Sequence, residues 1–477
     1  MTNTPGASPT KTHATRLLPV ICALVAAAAW ASESQGDAAA SGASGASSAG
    51  NLLQPPPVRS ALRYDTEYPS IGYAGEARNN AFARLQQRLD RGEVKLEFEG
   101  PRGYLDSLLR ALEIDPSSQT LVFSKTSLEI GLIRDTNPRA IYFNDETYVA
   151  WVPGAKQLEL MAMDGALGAV FYTMPNRDPS IARFDRETLR CLNCHDSFAL
   201  MGGGVPSFLM VSTYVGDDSG AVSRDGSIMT TDATPLRNRW GGWYVTGQHG
   251  SQVHLGNITA KGPRNAAELE SLRRGNLNTL AGFFDTSLHL TDTSDIVALL
   301  VLQHQVYIHN LITRVNYKAR TVLERQADER AASARTFDEL PPKTQRILTA
   351  MIEPLVRAML FSDAAQITDR IQGGSGFDAW FEKQGPQDRQ GRSLRQLDLQ
   401  ARLFKYPLSY LVYSHGFDGL PDYAKDHIYR RFAEILSGRD QSKSYSHLSA
   451  ADRKAILEIL TATKPAFAAV SGAAPTT

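Results

Sequence analysis

Apolar residues recur at helical spacing between about Ala77 and Ile114, where Leu85, Leu89, Leu105, Leu108, Leu109 and Leu112 predict two helices parted by Gly100-Pro101-Arg102-Gly103. The pattern then shortens to that of strands. Leu121-Val122-Phe123 is one candidate. Ala140–Phe143 and Thr147–Val152 are joined across Asn144-Asp145, and Leu158–Met163 and Ala169–Met174 across Asp164-Gly165, which are hairpin signals. A short helical turn is expected over Phe184–Leu189, a strand over Phe208–Tyr214, and a strand pair over Gly242–Thr246 and Val253–Ile258 with a bend at Gly247–Gly250.

From about Ala266 the period lengthens again. Ser294-Asp295 caps a long helix carrying Ile296, Leu299, Leu300, Ile308, Leu311, Ile312 and Val315, apolar nearly all round at its start and so expected to be central and buried. Further helices are expected at Pro342–Phe361, Asp398–Lys405, Pro421–Ser437 and Ser449–Thr463. Gly438 follows the third, a Ser449/Asp452 capping box opens the fourth, and Pro465 ends it. The fold class is α+β: a strand-rich amino-terminal half (61–262) followed by a helical half packed on it (263–466).

The ends read differently. Lys11, His13 and Arg16, the apolar run Leu17–Ala29 and the small residues of Ala29-Trp30-Ala31 predict a cleaved export signal over residues 1–31. Residues 32–60 are Ala/Gly/Ser-rich and include Pro55-Pro56-Pro57, the composition of a flexible linker; 467–477 reads as a disordered tail. No later stretch is expected to span a membrane once the signal is removed, and a periplasmic or secreted protein is predicted. Lys plus Arg and Asp plus Glu number 50 each, which argues against a general nucleic-acid surface.

Of three cysteines, Cys22 falls in the signal, so the mature chain keeps Cys191 and Cys194 in Cys191-Leu192-Asn193-Cys194-His195. Two thiols three positions apart on a turn can each add to a haem vinyl group, with the adjacent imidazole under the iron. The other readings of Cys-x-x-Cys are a redox dithiol, which would sit in a βαβ pattern absent here, and a structural zinc site, which needs a second pair.

This stretch resembles the attachment site of c-type cytochromes. The resemblance implies one covalent haem c, with Cys191 and Cys194 as thioether attachment points and His195 as proximal iron ligand. Asn137–Gly154, Arg239–Asn257 and Ser294–Asn310 are similar to parts of large, uncharacterised exported bacterial proteins with a single such motif. Gly202–Gly204 and Pro206 prevent a long helix after the motif, so the haem-bearing half is not a stand-alone small all-α cytochrome c.

The resemblance implies electron transfer with a redox partner protein; the alternative is a haem enzyme of peroxidase- or oxygenase-like type with an open distal site. His249, in a Gly-flanked bend, and His254 are the candidate distal ligands, with Met201, Met210 and Met229 behind them. His304 and His309 are five apart on the long helix, about 140° round its axis, and read as hydrogen-bonded core residues. Trp240, Trp243 and Tyr244 read as core packing or a pocket wall, Arg237 and Arg239 as partners for haem propionates, and Asp217-Asp218 as a turn. His415, His427 and His447 read as surface or helix-end residues without a role.

Overall fold

Six strands follow one another in an antiparallel meander: β1 (Thr120–Val122), β2 (Arg139–Phe143), β3 (Thr147–Trp151), β4 (Gln157–Asp164), β5 (Gly168–Pro175) and β6 (Asp185–Arg186). The computed structural model describes residues 66, 68–75, 79–180, 182–196, 204–213, 227–258, 275–326 and 333–471. The expected signal over 1–31 and linker over 32–60, Met201 and the turn expected at Asp217-Asp218 lie outside the described residues. The helices are α1 (Ala81–Asp90), α2 (Leu105–Ala111), α3 (Leu192–His195), α4 (Ile296–Gln326), α5 (Pro342–Met359), α6 (Phe377–Glu382), α7 (His415–Asp418), α8 (Asp422–Leu436), α9 (Ala450–Thr463) and α10 (Pro465–Ser471).

The hairpin turns close through their first side chains. Asn144 Oδ1 accepts from the Glu146 and Thr147 amides, and Asp164 Oδ1 from those of Ala166 and Leu167. Register then sorts the side chains. Tyr142, Val149, Leu160 and Tyr172 lie across one face, which meets α1 through a Phe82–Tyr172 ring contact at 5.4 Å. Phe143, Tyr148, Met161 and Phe171 form a row across the opposite face, with Ile141, Ala150, Glu159 and Thr173 beside it.

That second face looks toward α4. Asp295 caps this 31-residue helix as expected, its Oδ1 accepting from the Val297 and Ala298 amides. Although α4 is long and apolar enough to cross a bilayer, 89% of its most apolar window is buried inside the protein, the position of a core helix. One hydrophobic cluster runs from Tyr68 to Phe467, so the strand-rich and helical halves share a core.

The halves also meet at the β2–β3 turn. Arg395 pairs with Asp145, and the Glu146 carboxylate accepts from the His415 amide. Glu146 Oε2 is buried without a partner, and burial first of all, aided by the Asp145 charge, pushes the carboxyl up from 4.5 to about 8. A raised folded value means Glu146 favours folding fully below 4.5 and progressively less as pH climbs to about 8. Urea titrations should therefore show Glu146→Gln gaining on the native protein by at most about 1.4 kcal/mol per pH unit across that window; parallel curves would refute this.

The structure corrects five expectations. Phe184–Leu189 is no helical turn, because Asp185 and Arg186 pair with Thr173 and Tyr172 as β6. The Gly242–Thr246/Val253–Ile258 pair is no hairpin: the Asn257 side chain takes both polar groups of Val245, accepting from its N–H at 2.8 Å and donating to its carbonyl at 2.9 Å, in place of a ladder. The strand at Phe208–Tyr214 shrinks to β7 (Val211–Ser212), paired with β8 (Ile228–Met229). Asp398–Lys405 is not helical, because Asp398 Oδ1 closes a tight turn on the Gln400 and Ala401 amides and Leu397 bridges to Phe404. Part of the expected tail is ordered: Pro465 opens α10 instead of only ending α9, and Phe467 is fully buried 6.0 Å from the Tyr429 ring.

Candidate cofactor-attachment site

Residues 191–195 make a single helical turn, with the His195 amide donating to the Cys191 carbonyl at 3.0 Å and the Cys194 amide to the same oxygen at 3.2 Å. Cys191 and Cys194, three apart, therefore share one side of the turn, and both are partly exposed and outside any disulfide. Burial pushes the Cys191 thiol up to about 12, and the neighbouring Glu187 and Glu159 charges push the same way. An attacking cysteine of a redox dithiol needs the opposite, a thiol made acidic.

The chain leaves the turn and returns at Ser207. The Ser207 amide donates to the His195 carbonyl at 2.8 Å, and the Ser207 carbonyl accepts from His195 Nδ1 at 2.7 Å. A carbonyl only accepts, so Nδ1 carries the ring hydrogen and Nε2 keeps its lone pair. Burial pushes the imidazole below its ordinary range, toward the neutral form that ligates metals, though the Ser207 bond pulls the other way. The ring packs on Phe171 of β5 at 4.5 Å.

Phe208 continues the contact inward, its ring lying 6.1 Å from Phe171, 4.7 Å from Tyr148 and 5.8 Å from His309. Beside the motif, Arg139 and Glu159 form a half-buried ion pair at 3.2 Å; both charges act on His195, and Glu159 also acts on Cys191. Glu159 is held by Ser127 Oγ and the Leu128 amide, while the Arg139 Nε–H is buried without a partner. None of Phe171, Ser207, Arg139 or Glu159 stood out in the sequence, because strand alternation marks a face without telling what lands on it.

The structure places the distal candidates elsewhere. The His249 and His254 rings meet at 4.7 Å, with Trp240 5.7 Å from His254. Both ring nitrogens of His249 face carbonyl oxygens, Gln252 at 2.8 Å and Gly275 at 3.0 Å, so ligation would require breaking a bond already made. This cluster sits near the start of α4, where Gly247 approaches Ile296. The motif loop instead meets α4 at Asn310, 14 residues or about 21 Å further along. Met210 is buried in the core as a filler, and Met229 lies on β8. Arg239 donates to the Thr234 and Asp232 carbonyls and braces its own turn; Arg237 is exposed.

The core histidines are hydrogen-bonded, as expected. His309 Nδ1 meets the Tyr148 hydroxyl at 2.9 Å, and burial, reinforced by His304, pushes its value down to about 3. His304 links Asp232 (2.7 Å) to Ser409 Oγ (2.8 Å), the atom order of a Ser–His–Asp relay. Ser409 and His304 are completely buried, and Ser409 Oγ accepts from the Leu411 amide, so the arrangement ties two loops to α4 and presents no nucleophile. Among the described residues no three His, Cys, Asp or Glu side chains converge as a metal site. No family model, curated protein or solved structure matches the chain.

Proposed function

We propose that the chain is an exported c-type haem protein, periplasmic or secreted, carrying one haem c that exchanges single electrons with a redox partner protein. In this reading Cys191 and Cys194 would hold the haem through two thioethers, each S–H adding across one vinyl C=C with no leaving group, and His195 Nε2 would be the nitrogen available to iron. The bound haem supplies a one-electron Fe(III)/Fe(II) couple. The observation that carries the reading is the His195–Ser207 bond: it fixes the tautomer and aim of an imidazole directly after two thiols on one turn. Arg139, with its buried and unpartnered Nε–H, is the donor on the adjoining sheet face suited to a haem propionate.

The engaged nitrogens of His249 favour a second reading, a haem enzyme of peroxidase- or oxygenase-like type whose distal position is open. Visible spectra of the oxidised and reduced protein, with and without carbon monoxide, separate the two. A low-spin spectrum indifferent to carbon monoxide is the electron-transfer result, rapid binding is the open-site result, and absence of covalent haem sinks both.

A further inference from the structure

Among the described residues, Asn310 ties the motif loop to the central helix. Asn310 Oδ1 accepts from the Phe208 amide at 2.8 Å, and its Nδ2 donates to the Phe208 carbonyl at 2.8 Å. The Phe208 N–H and the Ser207 C=O belong to the same peptide unit, which is planar and trans, so the two groups point in opposite directions from one rigid plate. One edge of the plate is pinned to α4, and the other holds His195 Nδ1 at 2.7 Å. Rotation of this plate is the freedom by which the His195 hydrogen bond would be lost.

We propose that Asn310 is the positioning residue of the proximal ligand: by pinning the Ser207–Phe208 peptide to the central helix it aims the Ser207 carbonyl at His195. The inference rests on the haem reading for its consequence at iron, and on the His195–Ser207–Asn310 geometry alone for the positioning itself. Two effects run through the plate. Orientation is fixed, because the N–H cannot turn while Oδ1 accepts it. Polarity is raised, because an amide whose N–H is bonded carries a stronger carbonyl acceptor. A stronger bond to Nδ1–H makes the imidazole a better electron donor at Nε2, which favours oxidised iron.

The test uses Asn310→Ala, which removes both bonds. Asn316→Ala is the control, since Asn316 on the same helix donates to Ala166 at 3.0 Å. In full-length protein prepared without haem and labelled with 15N-histidine, the His195 Nδ1–H should exchange with solvent about tenfold faster in Asn310→Ala. It should stay near native in Asn316→Ala. In the haem-loaded protein, Asn310→Ala should raise the reduction potential, by up to about 59 mV for a tenfold change in the one-electron constant.

Unchanged exchange or an unchanged potential in Asn310→Ala would overturn the proposal. So would an equal change in Asn316→Ala, which would mean that loosening the helix anywhere suffices. A native protein lacking covalent haem would overturn the functional reading instead, and the exchange measurement on haem-free protein would still decide the role of Asn310.

Discussion

Protein carrying both Cys191→Ala and Cys194→Ala, produced under conditions that load haem into the native chain, is expected to hold no haem after extraction with acidified organic solvent. Each thioether is a carbon–sulfur bond that survives denaturation, whereas a haem held only by His195 leaves once the fold is lost. Intact mass reads the result directly: native chain plus one haem, against bare chain for the double variant. Each single variant should keep one bond and yield a haem with one vinyl group intact, visible as a red-shifted pyridine haemochrome. His195→Ala should retain the covalent mass but change the iron spectrum, because it removes the axial nitrogen and neither sulfur. A double variant that keeps extraction-resistant haem would end the assignment. The competing dithiol reading makes the reverse forecast, that only the thiol redox state responds, and a Cys191 thiol pushed up to about 12 is poorly suited to it.

Gly168→Ala should cost about 3 kcal/mol of folding stability, measured by urea unfolding. Gly168 opens β5 with φ +67°, and a Cβ there would stand 2.3 Å from Thr313 Cγ2 and 2.6 Å from Thr313 Oγ1 on α4. Backbone strain in the left-handed region and overpacking therefore add. Thr313→Ala in the same chain removes the two nearest atoms but keeps a Cβ at 2.9 Å, so it should restore much of the packing part, roughly 1–2 kcal/mol, and leave the backbone part. A loss below 1 kcal/mol, or no coupling between the two sites, would show that α4 and β5 separate easily. The site has a stake in the outcome, since β5 also carries Phe171, the ring on which His195 rests.

Most of the regular elements were legible along the chain. The meander is written in period-two alternation punctuated by Asn144-Asp145 and Asp164-Gly165, whose side chains close their own turns and need nothing distant to do so. The capping of α4 by Asp295 and of α9 by Ser449 and Asp452 was legible for the same reason. Expectations failed where a polar side chain within the expected element took the backbone bonds. Asn257 replaces a strand partner for Val245, and Asp398 turns a would-be helix start into a closed loop. A polar residue such as Asn310 in an apolar helix does signal a partner, but the sequence does not name it.

The sequence by itself determined the chemistry on offer: two thiols and an imidazole on one turn, behind an expected export signal, in an α+β chain of balanced charge. Covalent spacing and local periodicity are properties of neighbours in the chain, and neighbours are what a sequence displays. Only the tertiary structure decided which nitrogen of His195 is committed, through a carbonyl 12 residues away, and what holds that carbonyl, through an asparagine 102 residues beyond Phe208. It also placed His249 and His254 in their own hydrogen-bonded cluster, away from the turn that carries the motif. Those outcomes rest on long-range contacts that form only when the meander and the central helix pack together.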